Sequence, residues 1–325
     1  MRKCSTTLES KILFSNSPIE ELILRNTGVE WTDKGSKSNK TEIINKLRKT
    51  LDNKIENLLK ENKMLTPPFD PRRIKKIGHA AIDVRVLHRS TVGADGSLEA
   101  TNEGFLLSIA ENLVKEDKYI RRLRSTMVHE LMHTFFYDTT SLPPIKLGQG
   151  KATRKDFLME EELCCYLTRE FLMPKFVILD KARIFAKTTP SLKNIELLKS
   201  LFNVSSDIVA YRMIIDLSLW DGIFIKSMKE GNLFKVVTRL KSKLNPFYQK
   251  TKIPRYIPER DPRSKWIIEL TEHIQNTLKN EELQELITVE NKTIALESRI
   301  ETREPLCIET IAYEERSDKN QILRN

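Results

Sequence analysis

Helical spacing of apolar residues dominates the first two-thirds of the chain. From an N-cap position at Thr41 to Pro67-Pro68, apolar residues recur at three- and four-residue steps with charges between them, which predicts an amphipathic helix. The same spacing predicts a helix from about residue 117 through residue 135 and another over 157–174, closed by Pro174. The three apolar stripes are Ile44, Leu47, Leu51, Ile55, Leu58 and Leu59; Ile120, Leu123, Met127, Leu131 and Phe135; and Leu158, Leu163, Leu167, Phe171 and Leu172.

Period-two alternation is weaker and predicts few strands. Ile82, Val84 and Val86 alternate within "AAIDVRV", which predicts one strand, and "FLLSIA" (105–110) predicts a second. The stretch between them, "VGADGSLEATNEG" (92–104), is predicted as a turn-rich connection.

The last hundred residues carry mixed signals. The basic stretch 233–266 contains Phe247, Tyr248 and Tyr256 and is predicted as a solvated loop, with nucleic-acid contact as the alternative. "KWIIELTEHIQNTLKN" (265–280) predicts an amphipathic helix with His273 on its surface. Residues 285–316 alternate as strands do, with "ENK" (290–292) as a hairpin turn.

Length and composition set the class of protein. At 325 residues, with about 150 per domain, two or three domains are expected. The sequence contains no run of 18 apolar residues, so no membrane span is predicted. The N-terminus has no signal-peptide pattern, and the four cysteines do not suggest a disulfide framework. A cytoplasmic protein is therefore expected. The net charge of +10 admits nucleic acid or an acidic protein surface as a partner without choosing between them.

The strongest chemical signal is "HELMH", residues 129–133. On a helix, His129 and His133 lie on one face and can reach a single metal ion, while Glu130 stands beside them as a general base. The histidines point about 200° away from the Met127 stripe, toward a cleft. The alternative is a pair of histidines on a solvated helix face.

A catalytic zinc site needs a third protein ligand and an open fourth position. Phe136 and Thr139 replace the Gly and His of the extended metzincin motif, so a carboxylate on the following helix is expected instead. Glu160, Glu161 and Glu162 are the candidates, and periodicity alone does not choose among them.

The chain resembles the ImmA/IrrE metallopeptidases over about residues 41–224. Its first helix carries that family's "T-x-x-H-E-x-x-H" pattern from Thr126 to His133, and its second aligns without a gap from Glu161 to Pro174. Cys164-Cys165 stands where Ala-Asn is usual. The segment 65–86 and the segment 196–220 also resemble family segments.

The resemblance implies an α+β fold with a mainly helical, zincin-like metallopeptidase core and a small sheet. It makes Glu161 the third ligand of one zinc ion per chain, beside His129 and His133. It makes Glu130 the catalytic residue, outside the ligand set. It implies a zinc-dependent endopeptidase that cleaves a helix-turn-helix transcriptional repressor, derepressing stress-response or mobile-element genes. The group that stabilises the oxyanion is left open among Tyr137, Tyr166, Arg169 and Tyr211.

Residues 196–220 also have the shape of a helix-turn-helix, with a turn at Asn203 and a cap at Ser205. If the second helix entered DNA it would use Tyr211 and Arg212; packing on the peptidase core is the favoured interpretation. The rival function is a non-catalytic, zinc-stabilised DNA-binding or antitoxin-like regulator. The predicted divisions are an N-terminal arm and linker (1–40), a peptidase domain (41–190), the helix-turn-helix-like segment (191–225) and a C-terminal region (226–325) of unidentified α/β fold. A sensory or regulatory part is the expectation for the C-terminal region.

Overall fold

The computed structural model describes residues 17–31, 37–92, 94–148, 152–181, 190–231, 233–250, 253, 255–257, 265–289, 292–303 and 306–314. The chain divides into two compact units. The first contains residues up to Val177 together with Phe202–Val204, and the second contains Ile178–Leu201 and the residues from Ser205 onward. The domain boundaries proposed at residues 40, 190 and 225 stay predictions.

The first unit combines helices with a small sheet, so the α+β class is confirmed. Its helices are α1 (Pro18–Thr27), α2 (Lys37–Glu61), α3 (Arg89–Val92), α4 (Glu111–Lys115), α5 (Ile120–Met132), α6 (Arg154–Leu172) and α7 (Lys175–Lys181), the last crossing into the second unit. Single 3₁₀ turns cover Pro71–Arg73, Asp117–Tyr119 and His133–Phe136. Its strands are β1 (Lys76–Ile77), β2 (Ala80–Leu87), β3 (Gly96–Ala100), β4 (Gly104–Ala110), β5 (Tyr137–Asp138) and β6 (Ile145–Lys146).

The four-stranded sheet has the order β1-β2-β4-β3. Strands β2 and β4 are parallel, whereas β3 pairs antiparallel with β4 along the edge. Strand β3 occupies the stretch predicted as a turn-rich connection, so that prediction was wrong at Gly96–Ala100. The antiparallel ladder to β4 overrides the weak local propensity of "GSLEA".

The helix predicted after Thr41 begins at Lys37, four residues earlier, so Thr41 lies inside α2 rather than at its cap. Its apolar stripe is buried: Leu47, Leu51, Ile55 and Leu59 are all at most 2% exposed. Helix α1 was missed, although Ser17 and Glu20 form a capping box that announces it.

The second unit is built on a six-stranded antiparallel sheet. Its strands are β7 (Ile223–Glu230), β8 (Leu233–Lys241), β9 (Tyr256–Ile257), β10 (Glu282–Val289), β11 (Lys292–Arg303) and β12 (Leu306–Glu314), in the order β10-β11-β12-β7-β8-β9. Its helices are α8 (Leu192–Phe202), α9 (Ser206–Ala210) continued by a π turn (Tyr211–Asp216), α10 (Pro246–Lys250) and α11 (Lys265–Asn280). Side chains of α11, among them Leu270 and Ile274, join those of the sheet in one apolar core.

Several predictions for this unit are corrected by its packing. Strand β8 and helix α10 occupy part of the predicted solvated loop, and Tyr248 is fully buried rather than available to nucleic acid. His273 is also fully buried, because α11 turns that face toward the sheet. The strands predicted over 285–316 are confirmed as β10 to β12. The "ENK" turn falls on residues 290–292, of which the first two lie outside the described residues.

Candidate metal centre

Helix α5 carries the two histidines on the face opposite its core stripe. Leu123, Met127 and Leu131 are at most 8% exposed, and this stripe fixes the rotation of the helix about its axis. His129, Glu130 and His133 are each half-buried. The α-helix ends at Met132, and His133 opens the tighter 3₁₀ turn that follows.

Helix α6 supplies the carboxylate that faces the histidines. A capping box between Thr153 and Asp156 fixes its first turn. The Glu161 carboxylate lies between the two rings, with Oε2 3.2 Å from His129 Nε2 and Oε1 3.5 Å from His133 Nε2.

Glu160 takes a different place. It is only 4% exposed, and its Oε1 lies 2.8 Å from His133 Nδ1, the ring nitrogen that points away from Glu161. Lys146 of β6 approaches the same oxygen at 3.4 Å. Glu162 is exposed to solvent. The geometry therefore separates three glutamates that the sequence left equivalent.

The thiol of Cys165 lies beside the other histidine. Its Sγ is 3.9 Å from His129 Nδ1, on the far side of that ring from Glu161. Glu161 and Cys165 are four residues apart on α6 and therefore share a face. The sequence carried this signal in its spacing, but nothing in the motif drew attention to it.

Glu130 stands apart from the ligand atoms. Burial raises the pKa of its carboxyl, as does the nearby charge of Glu161, while His133 lowers it. The start of β3 packs against it: a Cβ added at Gly96 would lie 2.7 Å from Thr126 Cγ2 and 3.1 Å from Glu130 Cγ. A glycine at residue 96 therefore lets the edge strand approach the helix at the level of the proposed base.

The two histidines differ in their electrostatics. Burial and the neighbouring His133 lower the pKa of His129, against the charge and hydrogen bond of Glu161. Burial also opposes the charged form of His133, but its hydrogen bond to Glu160 and three nearby carboxylates raise its pKa. Burial would raise the pKa of Glu160, yet His133 and Lys146 lower it.

His129, His133 and Glu161 could together hold a metal ion. Each offers one ligand atom, and these atoms all lie within 4.8 Å of one another. Two imidazoles and one carboxylate are a donor set that suits zinc with an open fourth position. Among the described residues, the structure brings together the three ligands that the sequence and the family resemblance indicated.

The four candidates for oxyanion stabilisation fare differently. The Tyr166 hydroxyl donates to Asp52 Oδ1 at 2.7 Å and its side chain is buried, so this candidate is wrong. Tyr211 belongs to the second unit. Arg169 is half-buried on α6, beside Cys165. Tyr137 is half-buried in β5, and Lys146 Nζ lies 5.9 Å from its ring centroid.

The helix-turn-helix-like segment is packed against other parts of the protein rather than exposed for DNA binding. Arg212 is fully buried, 3.7 Å from Asp216, so it cannot contact a base or a phosphate. Asp207, at the start of α9, accepts from Thr238 at 2.6 Å and pairs with Lys226 at 3.2 Å. The burial of Arg212 and the contacts of Asp207 show a packed segment, but Asp207 packs on strands of the second unit rather than on the peptidase core that the sequence had predicted.

The remaining histidines have no place in the centre. His79 and His88 are exposed, as expected for surface residues. His273 Nδ1 lies 2.7 Å from Glu285 Oε2, in the second unit.

Comparison with known proteins adds little to these contacts. No protein-family model and no curated protein matches the sequence. A solved structure of a Mycobacterium tuberculosis transcriptional regulator is similar at a TM-score of 0.47, with 12% sequence identity over 92% of this chain and 81% of that one. In the part of the chain that the structure describes, no helix has the length and apolar character needed to cross a membrane.

Proposed function

We propose that this chain is a zinc-dependent endopeptidase with its reaction centre at His129, His133 and Glu161. The observation that carries the proposal is the convergence of two imidazole Nε2 atoms on the Glu161 carboxylate, with Glu130 alongside and outside the ligand set. A structural zinc site would fill all four positions with protein ligands, whereas this cluster offers three among the described residues.

Zinc, when bound, polarises the scissile carbonyl and makes water acidic enough to attack at neutral pH. Glu130 accepts the proton of the attacking water and later donates it to the leaving amine. Burial suits it to this exchange, because it raises the pKa of the Glu130 carboxyl and so makes the carboxylate a stronger base. Tyr137 is the proposed hydrogen-bond donor to the oxyanion, since burial raises the pKa of its hydroxyl and keeps it protonated.

The proposed substrate follows from the resemblance to the ImmA/IrrE metallopeptidases and is a helix-turn-helix transcriptional repressor. Its cleavage would derepress stress-response or mobile-element genes. The burial of Arg212 favours this function over direct DNA reading by the chain itself. The second unit is proposed to act as a sensory or regulatory part.

The experiment compares wild-type protein with Glu130→Gln on the co-expressed candidate repressor. Because the amide cannot accept a proton, cleavage should fall by about 10²–10⁴-fold. Zinc content should be unchanged, since Glu130 is outside the ligand set. The uncut repressor should then be recovered on the variant by pull-down.

The matched control is Glu162→Gln, which removes an exposed carboxylate from the neighbouring helix and should cleave normally. Cleavage by Glu130→Gln at the wild-type rate would overturn the peptidase proposal and leave an architectural metal site.

A further inference from the structure

The two histidines of the centre are held from behind by different chemistry. A metal on the Nε2 of a histidine requires the proton to sit on Nδ1, so whichever group accepts that proton fixes the tautomer and the ring orientation. Behind His133 that group is the buried carboxylate of Glu160, at 2.8 Å. Behind His129 it is the thiol of Cys165, at 3.9 Å.

These two acceptors differ greatly in strength. A hydrogen bond to a carboxylate is short, charge-assisted and roughly twice as strong as a neutral one. Sulfur is a weak acceptor. His133 is therefore held firmly and His129 loosely, although both rings face the same Glu161 carboxylate.

Glu160 is itself held in place. Its side chain is 5% exposed, and Lys146 lies within 3.4 Å of the same oxygen that faces His133. Lys146 belongs to β6, which pairs with β5 through the register Tyr137 to Lys146. A chain of contacts thus runs from the small two-stranded sheet through Lys146 and Glu160 to the ring of His133.

We propose that Glu160 is the dominant positioning residue of the metal centre, fixed by Lys146, and that Cys165 plays the same part for His129 more weakly. The inference rests on the proposed metal centre. It assigns Glu160 a place outside the ligand set, acting on the metal only through His133. The ranking of effects is Glu160 first, then Lys146 or Cys165.

Zinc affinity measured by competition with a chromophoric chelator tests the ranking. Glu160→Gln keeps the size of the side chain and removes its charge, and should weaken zinc binding by about tenfold or more. Glu162→Gln removes the same charge two residues further along the same helix, where the side chain is exposed to solvent. Its zinc affinity should stay within about threefold of wild type, because exposed charges are well screened.

Three further variants keep the test decisive if Glu160→Gln folds poorly. Lys146→Met leaves Glu160 in place but removes its support, and should weaken zinc binding by less than Glu160→Gln does. Cys165→Val fills the space of the thiol without an acceptor, and should also cost less than Glu160→Gln. Cys165→Asn restores an acceptor and should recover the wild-type affinity.

A second readout separates positioning from mere packing. In the zinc-loaded protein, the ¹H resonance of His133 Nδ1–H should move upfield in Glu160→Gln while that of His129 stays in place. Cys165→Val should show the reverse. A packing role alone predicts neither selective movement.

Equal zinc affinities in Glu160→Gln and Glu162→Gln would overturn the inference, as would ring resonances that ignore both substitutions. Failure of the proposed function would be distinguishable. If the variants bind zinc in the predicted order of affinities but the wild-type protein cleaves no repressor, the peptidase proposal is rejected and the positioning role is kept. Wild-type protein that takes up no zinc would reject both.

Discussion

Each unit contains a cluster of buried or half-buried polar side chains. The two clusters differ in whether every carboxylate faces a cation, which makes a cluster closed, or not, which leaves it open. In the second unit, Lys226 Nζ lies 2.5 Å from Glu301 and 3.6 Å from the fully buried Glu309. Arg299 pairs with the other Glu309 oxygen at 3.0 Å, and Ser206 donates to the Glu309 oxygen that faces Lys226. Every carboxylate of this cluster thus faces a cation.

The cluster in the first unit is open. The described partners of the Glu161 carboxylate are two imidazoles, and the lone pairs of all three side chains converge on one region. Removing one partner of a closed cluster leaves a buried charge uncompensated, whereas donor atoms that converge on one region suit a bound ion. Burial of acidic groups alone does not mark a site, and their orientation does.

The largest effect should come from removing a ligand of the open cluster. Glu161→Ala should reduce zinc content from about one ion per chain to almost none, since three protein ligands are the minimum for a catalytic site. Its unfolding free energy in chelator should stay within about 1 kcal/mol of wild type, because the Glu161 side chain is 34% exposed and its described partners are the two imidazoles. Metal analysis and urea unfolding measure the two quantities.

Glu162→Ala is the matched control and should retain zinc. If Glu161→Ala retained zinc, the third ligand would have to be another carboxylate. The description of the first cluster as an open metal site centred on Glu161 would then be wrong.

The closed cluster should respond in the opposite way. Lys226→Met leaves Glu301 without its cation and Glu309 paired with Arg299 alone, and should cost about 3 kcal/mol of unfolding free energy without changing zinc affinity. Burial opposes the charged form, but Asp207, Glu301 and Glu309 raise the pKa of Lys226 above its ordinary value. The stabilisation is therefore fully present below the ordinary lysine pKa and is lost only as the pH rises through the folded-state value.

Lys229→Met, on the same strand and exposed, should change stability by less than about 0.5 kcal/mol. If the two lysine variants were equally stable, the second cluster would not be the closed network described above.

A buried arginine on α5, the helix that carries His129, should give an intermediate effect. Arg124 is 7% exposed and donates to the carbonyls of Phe69, Phe202 and Asn203. Arg124→Met should cost about 2 kcal/mol, because it leaves buried carbonyls without a donor. Arg122→Met, on the exposed face of the same helix, should cost less than half as much, as thermal or urea unfolding would show.

The smallest effect should come from a charge pair at the surface of the first unit. Arg25 donates to Asp138 at 2.9 Å. Burial opposes ionisation, but hydrogen bonds from Thr140 and the charge of Arg25 lower the pKa of Asp138 to about 2. Asp138→Asn should cost at most about 1 kcal/mol at pH 7, since the pair is largely solvated.

The sign of its pH dependence follows from the depressed pKa. The stabilisation is present above the ordinary aspartate pKa and fades as the pH falls toward 2, so the two proteins should converge in acid. A difference that grows on acidification would contradict this assignment.

Sequence reasoning worked best where one helix carried the whole signal. The spacing of His129 and His133 required only helical geometry, and α5 supplies it. The third ligand needed a resemblance, because Glu160, Glu161 and Glu162 are chemically identical and their rotation about α6 depends on tertiary packing. The roles of Lys146 and Cys165 needed coordinates.

Strands were predicted least well, for a related reason. Strand β3 is short and polar, and its pairing with β4 is not encoded in its own residues. His273 was predicted on the surface, but α11 is amphipathic, and the sequence does not show whether a single histidine lies on its apolar or its polar face. Helix α1 was predictable from its capping box alone.

The turn at Phe202–Val204 has a consequence for how such a protein can evolve. These three residues belong to the first unit while the helices on both sides of them belong to the second. Recombination that joined residues 1–177 to a foreign partner at a single junction would leave Arg124 without two of its carbonyls. The two units are therefore expected to be inherited together, as one genetic cassette.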